Sequence, residues 1–244
     1  MSQTQLSGAV SVAAQGLFDL SSVTQQNLGD LVHSNDGRAY RYAKCGGADI
    51  SRGRLTQSSA EDTATQNLTA VAAAIGDTTL VSTSTVTITA NEYANGLAII
   101  TTGPGVGYAY KISGHAAFTS AAPTLQLADP IAGIALTTAS RIDLIRNPYS
   151  AVIVNPTTAS SAANGVSVAG TFTTLYFGWV QVAGVAPLLA DGALVVGADC
   201  VASNGTAGTV EQAPNVIGTQ SIVGVAQTGV ATTEIGAVRL QGML

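Results

Sequence analysis

The chain has 244 residues, enough for one large or two modest domains. Only 9 % are charged, where a soluble domain usually carries about 25 %, and the net charge is −5. That balance excludes a phosphate-neutralising nucleic-acid binder and leaves too few ionic groups to coat the surface, so we expect much of a neutral exterior to be covered by neighbouring subunits.

Residues 1–16 are small and polar without a period, and read as an extended N-terminal arm. No basic residue precedes the apolar positions up to Phe18, so a signal peptide is not expected, and no apolar run approaches the ~20 residues that span a membrane. Asn35-Asp36-Gly37 predicts a turn between a strand ending near His33 and one starting near Arg38, where Tyr40 and Tyr42 alternate with other residues. Arg38, Arg41, Lys44, Arg52 and Arg54 make this part locally basic, and no Lys or Arg occurs from Asn147 to Val238. Unlike patches of this kind favour contacts between subunits; an ordinary solvated strand face reads equally well.

Residues 58–76 are ambiguous. Ala60, Ala64, Leu68, Val71 and Ile75 fit one helix face, but the Thr/Val-rich run after them favours strand, so 58–66 reads as a linker and the rest as partly strand. Strands are then predicted around Val86–Ala90, Leu97–Ile100, Tyr108–Ile112, Thr124–Ala128 and Ala139–Ile145, with a Gly-rich turn over 103–107. A Pro/Thr/Ser/Gly-rich linker is predicted over 148–165, followed by Thr171–Val182, Ala193–Val196, Gly208–Glu211, Ser221–Ala226 and Gly236–Gln241. The fold class is therefore all-β: short-stranded sandwich or barrel domains with an extended arm. The divisions are 1–57 (arm and hairpin region), 58–147 (middle β domain), 148–165 (linker) and 166–244 (C-terminal β domain). GRAYRYAKCGGA (37–48), GYAYKISGHAA (107–117) and FGWVQVAGVA (177–186) share a loose Gly-bounded pattern, too loose for a true repeat.

Signals for chemistry are sparse. Ser167 in GVSVAG misses the GxSxG elbow by one position and lacks a strand-to-helix context. His33 and His115 are the only imidazoles, so a hydrolase would need Ser167 with one of them. Cys45 and Cys200 form no CxxC pair and read as buried hydrophobes. No metal-ligand spacing, phosphate loop or calcium loop is present, so no catalytic, metal or cofactor site is expected. Tyr176, Phe177 and Trp179 cluster. They read mainly as core, with a sugar or partner platform as the other reading. Interface candidates are Arg38, Arg41, Tyr176 and Trp179.

Several segments carry a resemblance: DGRAYRYAKCGGADISRGRLTQ (36–57), VTITANEYANGLAII (86–100), GVGYAYKISGHAA (105–117), LQLADPIAGIALTTASRIDLIRNPY (125–149) and FGWVQVAGVAPLLADGALVVGADCV (177–201). In order and combination they resemble structural proteins of tailed bacteriophages. The C-terminal part, with its later VGVAQ, is similar to β-domains of head-decoration proteins. The resemblance implies a non-enzymatic virion component on the capsid exterior, assembled in the host cytoplasm, often trimeric, with the major capsid protein and copies of itself as partners. It implies neither nucleic-acid nor membrane binding. The alternative is another virion part (tail, spike or head fibre) that binds host glycans.

Overall fold

The computed structural model describes residues 6–7, 15–158, 160–214, 218 and 220–241. The chain is all-β, with curled antiparallel sheets of the sandwich or barrel kind; one 3-10 turn, Thr63–Thr65, is the sole helical element among the described residues. The expected arm over 1–16 falls mainly outside the described residues.

Two units share the chain. The first joins residues 1–60 to 148–244, and the second is 61–147. In the first unit the strands before the break are β1 (Leu6–Ser7), β2 (Leu31–Ser34), β3 (Ala39–Lys44), β4 (Ile50–Ser51) and β5 (Leu55–Gln57). The second unit holds β6 (Leu68–Thr69), β7 (Thr79–Val81), β8 (Val86–Ile88), β9 (Leu97–Thr102), β10 (Ala109–His115), β11 (Phe118–Ala121), β12 (Thr124–Leu127) and β13 (Arg141–Ile145). The first unit resumes with β14 (Ile153–Val154), β15 (Ala163–Ser167), β16 (Thr171–Phe172), β17 (Phe177–Leu189), β18 (Asp199–Ala202), β19 (Val210–Gln212), β20 (Ile222–Ala226) and β21 (Ile235–Leu240).

This arrangement corrects the expected division. The hairpin region 1–57 and the C-terminal part 166–244 are one unit, because β17 pairs antiparallel with β3 along its first half. The expected linker over 148–165 carries β14 and β15, which both pair with β5. Its Ser, Thr and Asn side chains suit a strand where they bond inward: buried Asn164 donates to the Pro148 oxygen at 2.8 Å.

The 13 residues of β17 organise the first unit. Its first half lies between β3 and β15; its second half, Gly184–Leu189, pairs with β21. The change of partner falls at Gly184, which has φ +79°, and an added Cβ there would lie 2.9 Å from Arg38 Cα. A left-handed residue bends a strand and re-aims the residues beyond it. Buried Gln181 braces the bend, its amide donating to Ala183 O at 3.0 Å and Val185 O at 2.9 Å.

Val180, Val182, Ala186 and Leu188 point from β17 into the main core of this unit, with Ile50, Leu55, Phe172 and Val238. A smaller cluster joins Tyr40, Tyr42, Val168 and Trp179. The second unit has its own core, from Leu68 and Leu80 to Ile100, Ile112, Ile142 and Leu144, under the sheet β6-β13-β9-β10-β12-β7. The turn over 103–107 forms as expected, with φ of +77°, +83° and +88° at Gly103, Gly105 and Gly107.

Over 58–76 the reading as linker and then partly strand holds: β6 lies at Leu68–Thr69, and Leu68 is buried while Val71 and Ile75 are exposed, so the five apolar positions share no helix face. Two local expectations change. The strand expected over Thr171–Val182 is interrupted at 173–176, where Leu175 takes φ +65°, and resumes as β17. Ala193–Val196 is not a strand; Leu194 makes only an isolated bridge to Val230, and Val195 and Val196 are exposed.

Candidate functional site: contact surfaces of the first unit

Trp179 does not reach the surface. It is 1 % exposed, sits opposite Tyr42 in the β3–β17 pair, and meets that ring edge to face at 5.1 Å. This removes Trp179 as an interface residue and takes the central ring from a glycan platform. The physical reason is that both faces of this half of β17 are covered: Val180 and Val182 face the main core, and Trp179 faces the smaller cluster with Tyr40 and Tyr42. Phe177 is half-buried and stacks on Tyr42 at 6.2 Å, with Lys44 Nζ 5.5 Å from its ring centre. Tyr176 is the exposed member of the three.

The two arginines are engaged within the chain. Arg38 grips Asp36 through Nε at 2.7 Å and Nη2 at 2.6 Å, next to the turn that starts β3. The Arg38 side-chain bonds hold the Asp36 carboxyl down to about 2. Arg41 donates from Nη1 to Gly29 O at 2.6 Å and lies 5.5 Å over the Tyr149 ring. Arg52 and Arg54 donate to the Val168 and Ala207 oxygens. The basic cluster therefore serves first to tie loops to strands.

Ser167 is fully buried, and its hydroxyl has no hydrogen-bond partner among the described residues. His33 is exposed on β2. His115 belongs to the other unit. Its Nε2 accepts the Tyr93 backbone N–H at 3.0 Å and its Nδ1 lies 2.8 Å from Ala116 O, which assigns it the neutral form with the proton on Nδ1. Ser167 is thus not brought together with either imidazole in a hydrogen bond. Burial pushes the Cys45 thiol up to about 11 and raises that of Cys200, so neither is an activated nucleophile. No group of three or more His, Cys, Asp or Glu gathers as a metal set, and no helix is long and apolar enough to cross a membrane, among the described residues. A hollow of about 160 Å³ is lined by uncharged polar groups, among them Asn155, Thr157, Ser203, Asn204 and Gln220.

The surface that stands out is the outer face of the sheet β17-β21-β20-β18. The ladder sets Val185 opposite Arg239, Arg239 opposite Val225, and Val225 opposite Asp199, in one row across four strands. The neighbouring row, Ala186, Val238 and Ala226, is fully buried. Beside the first row the outer face continues with Pro187 and Ala237, then Leu189 and Ile235. Val185 and Ile235 are 44 % and 51 % exposed, high for large apolar side chains on a regular strand. Sequence reasoning missed this face. The period-2 signal was there in Ile235, Ala237 and Arg239, but it does not say which parity points outward.

Comparison with family models, curated proteins and solved structures finds no match to this chain.

Proposed function

We propose that the chain is a capsid decoration (cement) protein of a tailed bacteriophage. It would bind the outside of the head, as a symmetric oligomer, and stabilise contacts between capsomers of the major capsid protein. The observation that carries this reading is a 9 % charged chain displaying large apolar side chains, among them Phe18, Leu175, Val196, Ile222 and Ile235, in an all-β unit. Such side chains in water favour association, and repeated weak contacts on a symmetric shell add up by avidity. The resemblance of its Gly- and aromatic-bounded segments to tailed-phage structural proteins, and of its C-terminal part to head-decoration β-domains, supports the same reading.

The test is composition and imaging of purified particles. Mass spectrometry should find the chain in on the order of hundreds of copies per particle, and electron cryo-microscopy should place it between capsomers. A single-vertex location, or absence from particles, would overturn the proposal. A tail, spike or fibre part binding host glycans would have to do so without Trp179, which lies inside the unit.

A further inference from the structure

Arg239 is the only cation after Arg146, and it stands in the apolar row between Val185 and Val225. It is exposed, and makes no ion pair or side-chain hydrogen bond among the described residues. Asp199 is exposed in the same row, likewise without an ion pair. Arg239 on β21 and Asp199 on β18 flank β20 on either side, one strand spacing of about 4.8 Å each way from Val225. They form no ion pair with each other in the structure.

We propose that this face docks on the same face of a second copy of the chain, about a two-fold axis running along β20 over Val225. Rotation about that axis exchanges the β21 and β18 sides of the sheet. Arg239 of each copy then lies over Asp199 of the other, and Val225 lies on its own image. The face is self-complementary in charge, as an isologous contact requires. Sheets packed face to face sit about 10 Å apart with near-aligned strands, which this axis produces. Val185, Pro187, Ala237, Leu189 and Ile235 extend the contact on one flank. The two ion pairs fix register and orientation, while burial of the apolar rows supplies the attraction. This contact goes beyond the decoration reading and does not depend on it. It also differs from a three-fold contact, in which unlike surfaces meet.

The test is the mass of the purified full chain, by light scattering and sedimentation, at high micromolar concentration and low salt. The wild type should be a dimer. Arg239→Asp and Asp199→Arg should each be monomeric, with unchanged circular dichroism, because both residues are exposed and their side chains bond nothing among the described residues. The double variant carrying both exchanges should be a dimer again. High salt should weaken the wild-type dimer. A monomeric wild type, a trimer indifferent to either reversal, or a double variant that stays monomeric would each overturn the proposal. So would Arg239→Ala increasing the mass, since that result would make Arg239 a guard against association.

Discussion

Trp179 donates its indole N–H to the backbone oxygen of Gln15 at 3.2 Å, deep inside the first unit. Gln15 returns the contact in kind. Its Oε1 accepts the Tyr42 hydroxyl at 2.7 Å, and its Nε2 donates to Asp19 O at 2.6 Å and Phe177 O at 3.0 Å. One glutamine thus satisfies both polar atoms of the aromatic pair and ties the segment before β2 onto β17. A buried polar group stabilises only when its partners are present, and here Gln15, Tyr42 and Trp179 are all buried.

Gln15→Ala should therefore destabilise the chain by roughly 1–3 kcal/mol, the cost of leaving the Tyr42 hydroxyl buried without its acceptor. Trp179→Ala should cost more, about 3–5 kcal/mol, and Trp179→Phe should recover most of the difference. Urea denaturation checks both. Trp179 is the one tryptophan, so its native emission should be blue-shifted and resist acrylamide until the chain unfolds. Easy quenching in the native state would contradict the burial.

Gly184→Ala should lower stability by about 1–3 kcal/mol, through left-handed backbone strain and the approach of a new Cβ to Arg38. The effect should register as a lower urea midpoint and faster amide exchange in β17 and β21. A neutral result would mean that the bend in β17 does not need glycine.

Acid should weaken the second unit in part through Glu92. Burial opposes its charge, but the Thr89 backbone N–H and hydroxyl and the Arg146 guanidinium outweigh it, and its carboxyl titrates below the ordinary value. A depressed folded-state pKa contributes stability that is present above the unfolded carboxylate range and is lost as pH falls through the folded value. Urea midpoints measured from neutral pH down to pH ~3 should fall less steeply for Glu92→Gln than for wild type below about pH 4.5. Parallel curves would remove Glu92 from the acid sensitivity.

Cys45 and Cys200 should both resist a thiol reagent such as Ellman's at pH ~8 in the native chain, since burial keeps them protonated and out of reach. The two should react together once the chain is unfolded. Rapid labelling of either one in the folded state would be inconsistent with this structure.

Local pattern was enough for some features and not for others. The Asn35-Asp36-Gly37 turn, the glycine turn over 103–107 and the alternating strands of the middle segment arise from residues that are neighbours in sequence. Their physics is backbone preference and period, and both are written locally. The aromatic cluster shows the limit. Tyr176, Phe177 and Trp179 have the same local pattern whether one face of their strand is covered or both, so a surface platform and a core pair could not be separated until β17 packed between two clusters.

By itself the sequence determined an all-β chain poor in charge, punctuated by glycine and proline, without the spacing of any familiar catalytic or metal motif. Only the tertiary structure decided that residues 1–60 and 148–244 share one unit, that Trp179 is interior, and that Arg239 and Asp199 occupy one row of an apolar outer face. Those outcomes depend on which distant strands pair and in what register. A one-residue shift in register would turn every side chain of a strand to the opposite face, and no run of neighbouring residues specifies that choice.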